Sequence, residues 1–70
     1  MNILIDGELS NLSESQQNRL FFWIRDNNEQ TYNDVFGIYI NNDTNPVHCV
    51  ASKHYFCNGE MHLVNQFVID

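Results

Sequence analysis

The chain has 70 residues, of which 43% are hydrophobic and 17% charged, the composition of a folded globular domain rather than of a disordered segment. Nine acidic residues oppose three strong bases, which gives a formal net charge of −6. This balance disfavours direct binding to a nucleic-acid backbone, because that affinity comes from Lys and Arg side chains that displace counterions.

Two elements are predicted in the first half of the chain. The apolar residues 3–5 predict a short central strand, which the turn signal Asp6-Gly7 ends. Ser13 predicts the start of a helix, because Gln16 follows at the spacing of a capping box. We expect this helix to extend from Ser13 to about Asp26.

The predicted helix is apolar on more than one side. At about 100° per residue, Leu20, Phe21, Trp23 and Ile24 cover one wide arc that we assign to the core. Phe22 falls outside that arc. Either the following loop folds back over Phe22, or its ring is an aromatic anchor for a partner or a second subunit.

The second half of the chain predicts three further strands. Residues 35–40 are rich in β-branched and aromatic side chains and favour a strand. Asn58-Gly59 is the preferred pair for a type I′ turn, and the flanking segments 48–57 and 60–69 have strand character. The sequence therefore predicts a long C-terminal hairpin.

A two-residue turn fixes the register of this hairpin and so assigns its side chains to two faces. We assign one face to the core: Val50, Phe56, Met61, Leu63, Phe67 and Ile69, together with His48, Ser52, His54 and Asn65. The opposite face then carries Cys49, Ala51, Tyr55, Val64 and Val68, together with Lys53, Cys57, Glu60, His62 and Gln66.

These elements predict one α+β domain over residues 1–70 with the order β-α-β-β-β. Its sheet is mostly antiparallel, with one helix packed on one face and the long hairpin at the C-terminal end. The first two strands could be parallel neighbours through a right-handed crossover. One helix about 10 Å across cannot cover both faces of the sheet, so a second face with Tyr39 and Tyr55 is either an ordinary half-wet face or an interface.

No catalytic or metal-binding motif is recognisable in the sequence. Six residues could contribute metal ligands: His48, Cys49, His54, Cys57, Glu60 and His62. They lack the CxxC and HxxxH spacings, and Cys49 lies roughly 26 Å from Cys57 along one strand. We therefore predict no metal, no cofactor and no catalytic residue, with Cys57 and His62 as the sole enzyme candidates.

The sequence also bears on the cellular location. The first six residues lack a basic segment and a long apolar core, so they do not resemble a signal peptide. No run approaches the about 20 apolar residues of a membrane span. We expect a cytoplasmic protein with no membrane partner and with both cysteines reduced.

Small size, acidity and the lack of catalytic motifs are typical of short inhibitors encoded by phages and mobile elements. We therefore predict an acidic protein-binding module that inhibits or modulates a larger basic protein, such as a nucleic-acid-processing or host-defence protein, in part by mimicking DNA. The predicted contact residues are Glu14, Phe22, Asp26, Glu29, Asp34, Tyr39, Asp43 and Tyr55. The alternative is a homo-oligomer, such as a homodimer, that associates through the exposed sheet face or an edge strand.

Overall fold

The computed structural model describes residues 2–28, 33–44 and 47–69. The elements are β1 (Asn2–Asp6), a 3-10 turn (Leu9–Asn11), α1 (Glu14–Asn27), β2 (Asp34–Asn41), β3 (His48–Cys57) and β4 (Glu60–Ile69). The strands form one sheet in the order β1-β2-β3-β4, in which β1 is parallel to β2 and the other pairs are antiparallel. The predicted fold is confirmed. The predicted central position of the first strand is wrong, because β1 lies at the edge of the sheet.

The helix begins where the capping box predicts. The Ser13 hydroxyl accepts a hydrogen bond from the Gln16 backbone N–H at 3.1 Å, and the Gln16 side-chain oxygen accepts one from the Ser13 N–H at 2.8 Å. Gln16 also donates from its side-chain nitrogen to the Val47 carbonyl at 3.1 Å. This long-range bond ties the start of α1 to the segment before β3.

The core lies between α1 and one face of the sheet. Its buried members are Leu12, Leu20, Ile24, Phe36, Ile38, Ile40, Cys49, Ala51 and Ile69. The Trp23 ring packs edge-on against Phe36 and stacks on Phe67, with centroid distances of 5.9 Å in both pairs. Phe21 is 48% exposed, so its assignment to the core is wrong. It projects about 100° away from Leu20 around the helix, on the flank of the buried stripe.

The hairpin turn is confirmed, but the register holds over only half of its length. Asn58 and Gly59 have φ of 54° and 78°, the positive values that a type I′ turn requires. The four pairs nearest the turn follow the prediction. Beyond them Lys53 pairs with Asn65 and leaves Val64 as the extra residue of a β-bulge.

The bulge and the packing of β3 correct the predicted core face. Cys49 and Ala51 lie buried under α1. The residues that alternate with them along β3, such as Val50, lie on the opposite face. Small side chains on β3 leave room for Trp23 to contact Phe36 on β2 and Phe67 on β4. The large side chains that we expected in the core at this strand therefore point away from the helix.

Candidate partner-binding surface

The sheet face opposite α1, which we call the open face, is apolar and exposed. The register places on it Asn2, Leu4, Asp6, Val35, Gly37, Tyr39, Asn41, His48, Val50, Ser52, His54, Phe56, Met61, Leu63, Gln66 and Val68, with the polar residues Asn2, Asp6, Asn41 and His48 at the strand ends. Six large side chains are half exposed: Leu4 63%, Leu63 59%, Tyr39 50%, Met61 49%, Val68 48% and Phe56 46%. Contiguous apolar surface of this kind marks binding sites in soluble proteins more often than single exposed residues do.

Two shallow grooves run along the open face beside β1. The first has a volume of about 340 Å³ and lies over Gly37, between Leu4 and Tyr39. Gly37 has no side chain to fill this groove. A Cβ at this position would lie 3.1 Å from the Ser52 hydroxyl oxygen. The second groove, of about 420 Å³, is lined by Asn2, Ile3, Leu4, Val35, Phe56 and Met61. Leu4 borders both grooves, so side chains of a partner could enter on either side of it.

Charge is confined to the border of the open face. Asp6 ends β1 and Asp43 lies in the turn after β2, at the same end of the sheet, while Glu60, at the hairpin turn, pairs with Cys57 on the helix side. None of the three strong bases, Arg19, Arg25 and Lys53, lies on the open face: two are on α1 and Lys53 is buried on the core face. Within the described residues, an apolar centre is therefore bordered by negative charge at one end, at Asp6 and Asp43.

The two tyrosines that we predicted to share a binding surface lie on opposite faces. Tyr39 is on the open face, opposite Val50. Tyr55 lies on the helix side, where its hydroxyl accepts a hydrogen bond from the Asn33 side chain at 3.3 Å. The expectation that Lys53 would accompany them is also wrong, because it is 3% exposed. Of these two tyrosines, only Tyr39 remains a contact candidate on the open face.

Phe22 is the more exposed of two exposed phenylalanines on α1. Its side chain is 54% exposed, and the Arg25 guanidinium carbon lies 4.8 Å from the centre of its ring, a cation–π distance. Arg25 in turn lies 3.6 Å from the Asp26 carboxylate. The loop that could have covered Phe22 falls in part outside the described residues.

The predicted acidic contacts are dispersed. Glu14 and Asp26 are exposed in the first and last turns of α1, about 18 Å apart at 1.5 Å per residue. Asp43 is exposed in the β2–β3 turn, and Glu29 lies outside the described residues. Asp34 is fully buried on the core face, so its predicted role as a contact for a docked partner is wrong.

The Cys and His residues of the hairpin do not form a metal site. Cys57, Glu60 and His62 share a face as the turn predicts, with the His62 imidazole 3.7 Å from the Glu60 carboxylate. The described part of the chain holds no group of three such side chains that could bind a metal ion. Cys49 and Cys57 are free thiols. Burial raises the pKa of the Cys49 thiol, which lowers its thiolate fraction and its reactivity.

The sequence interpretation missed several residues of the open face. Leu4 was assigned to a central strand, and Phe56, Met61 and Leu63 were assigned to the core. An available signal was the pair of small side chains Cys49 and Ala51, which suit the strand under a helix better than a solvent face. No signal in the sequence marked the bulge at Val64.

Across the three described segments, no helix is long and apolar enough to cross a membrane. Comparisons of the chain with protein-family models, with curated proteins and with solved structures found no match. The geometry and charge of the open face are therefore the observations that bear on function.

Proposed function

We propose that this protein is a small, acidic, non-enzymatic binding module that inhibits or modulates a larger basic protein by docking the open face on it. One observation carries the proposal: six half-exposed large apolar side chains share a face that is bordered by acidic residues at one end. Protein interfaces combine an apolar, charge-depleted centre with a polar rim in the same way.

The charge of the border favours a basic partner. Asp6 and Asp43 lie together at one end of the open face, and no strong base on this face opposes them. Complementary charge chiefly raises the association rate and suppresses wrong partners. Proteins that bind nucleic acids carry Lys and Arg surfaces, so a nucleic-acid-processing or host-defence protein in the cytoplasm fits this chemistry.

Affinity in this proposal comes from the apolar centre rather than from the acids. Tyr39 and Leu4 border the groove over Gly37, where a partner side chain would be removed from water on several sides. Anchors seated in pockets contribute most of the binding energy in typical interfaces. Mimicry of nucleic acid is not part of the proposal, since the exposed carboxylates of α1 lie at its opposite ends.

A matched pair of variants tests the proposal. Phe56 on the open face is 46% exposed and Phe21 on the helix flank is 48% exposed, so Phe56→Lys and Phe21→Lys make the same change at equal exposure. Wild-type protein and both variants serve as bait in a nuclease-treated lysate of the native host, and the Kd of the purified captured protein is then measured with each bait.

We expect Phe56→Lys to raise the Kd at least tenfold, because a desolvated charge would face the partner, and Phe21→Lys to leave it within about twofold. The opposite pattern would move the binding site to α1. Recovery of the bait alone, at low and at moderate salt, would count against a partner of this kind.

A further inference from the structure

β1 is an exposed edge strand that is apolar on both sides. All five of its residues are exposed, and Ile3, Leu4 and Ile5 are 42%, 63% and 46% exposed. Ile3 and Ile5 lie on the helix side, opposite the buried Phe36 and Ile38 in the register with β2, and Leu4 lies on the open face. The unpaired backbone groups of such an edge are a template for pairing with another strand.

The two edges of the sheet differ in their protection. β4 carries the bulge at Val64, a device that twists an edge strand away from pairing. β1 has no register shift with β2 and contains no Lys or Pro. Of the two described edges, β1 is therefore the one suited to accept a further strand.

We propose that β1 pairs with β1 of a second copy of this chain, antiparallel and about a two-fold axis at Leu4. In this register Leu4 faces Leu4, Ile3 faces Ile5, and Asn2 faces Asp6 of the other copy. Each apolar residue meets an apolar residue, and each Asp6 carboxylate meets an Asn2 amide that can donate a hydrogen bond to it. The strand is thus complementary to itself, as an isologous interface requires.

Repulsion between like charges favours this antiparallel arrangement over a parallel pair. A parallel in-register pair would place the two Asp6 side chains side by side, and directly opposed like charges destabilise a strand pair. The antiparallel register centred on Leu4 separates the two Asp6 residues by four residues, or about 14 Å at 3.4 Å per residue. That distance exceeds the Debye length of about 8 Å at physiological ionic strength, so two acidic chains can approach along this edge.

The pairing makes one eight-stranded sheet from two chains. A two-fold axis perpendicular to the sheet keeps both open faces on one side and both α1 helices on the other. The grooves that Leu4 borders in each copy then adjoin across the axis. This dimer uses the edge and not the face of the sheet, so it stands independently of the proposed function.

Charge-swap variants test the register. In the proposed dimer Ile3 faces Ile5 of the second copy, so Ile3→Lys with Ile5→Lys places like charges opposite each other, and so does Ile3→Glu with Ile5→Glu. A mixture of the two variants places Lys opposite Glu at both positions. The control is Val64→Lys with Val68→Lys, which makes the same charge change on the other edge strand at exposed positions that line neither groove. Sedimentation velocity over a concentration series measures the Kd of each sample, and circular dichroism confirms that each variant is folded.

We expect a concentration-dependent wild-type dimer, a Kd raised at least tenfold in each β1 variant alone, and recovery to within about threefold of the wild-type value in their mixture. The β4 control should dimerise as the wild type does. A wild-type chain that stays monomeric at all concentrations overturns the proposal. So does a dimer that both β1 variants retain, or that mixing fails to restore.

Discussion

At the level of single residues, Gln16 makes a long-range hydrogen bond in addition to its local role in the capping box. Its side-chain oxygen completes the capping box, while its nitrogen donates to the Val47 carbonyl at 3.1 Å. Gln16 is 7% exposed, so water cannot readily replace either bond. The residue therefore joins a local helix signal to a contact 31 positions away in the chain.

We predict that Gln16→Glu lowers the free energy of unfolding by about 1–3 kcal/mol, although Glu is itself a favoured capping-box residue. The carboxylate keeps the bond to Ser13 but has no N–H for the Val47 carbonyl, and a lost partner leaves a buried polar group unsatisfied. Urea denaturation measures the change. Ser15→Glu is the control, because it adds the same charge at an exposed position in the same turn, where the helix dipole favours it by about 0.3–1 kcal/mol. Equal stability of Gln16→Glu and wild type would show that the bond to Val47 contributes little.

The sequence predicted the features that depend on neighbouring residues. It did not predict which side chains are buried by contacts with distant strands. The capping box at Ser13 and the type I′ turn at Asn58 each depend on hydrogen bonds or φ angles within four residues, so the sequence predicted both. The burial of Asp34 depends on its pairing with Tyr55 on a distant strand and on its position diagonal to Lys53. A short polar segment before a strand gives no sign of that environment.

At the level of elements, the bulge in β4 decides which side chains reach the core. Before it, His54 pairs with Leu63; after it, Lys53 pairs with Asn65. Without the extra residue, Phe67 and Ile69 would lie on the open face. With it, both lie on the helix side, where Ile69 is fully buried. The predicted register failed from Lys53 onward, because the sequence around Val64 contains no glycine or other signal of a bulge.

We predict that deletion of Val64 is tolerated and that deletion of Val68 is not. Removing Val64 joins Leu63 directly to Asn65 and converts the bulge into a regular ladder with every later pair intact. Removing Val68 shifts either Ile69 or Phe67 out of its pair, and loss of a large buried aliphatic side chain costs about 2–5 kcal/mol. The two residues are matched, since Val64 is 55% and Val68 48% exposed.

Thermal unfolding followed by circular dichroism compares the two deletions. A ΔVal64 chain within a few degrees of the wild-type Tm, with ΔVal68 much less stable or unfolded, fits the observed register. Equal losses in the two chains would mean that Val64 is not the unpaired residue.

At the level of the whole molecule, the protein separates its apolar and charged surfaces. The helix covers one face of the sheet, and the open face keeps six half-exposed large apolar side chains. The strong bases lie on α1 or in the core, so the border of the open face is negative at the end that carries Asp6 and Asp43. The fold class was predictable from the sequence, and so was an incompletely covered sheet face, because one helix cannot cover both faces of a four-stranded sheet. The identity of that face did not, because β3 alternates apolar residues on both of its sides.

Docking of a partner on the open face is tested most directly by one footprinting experiment. Hydroxyl radicals oxidise exposed Met and aromatic side chains, and the rates are compared with and without the captured partner. Tyr39, Phe56 and Met61 report on the open face, while Phe21 and Phe22 are similarly exposed reporters on the helix. We predict that partner binding protects the first three residues and leaves the two phenylalanines of α1 unchanged. Protection of Phe21 and Phe22, with Tyr39, Phe56 and Met61 still reactive, would contradict the account and place the interface on the helix.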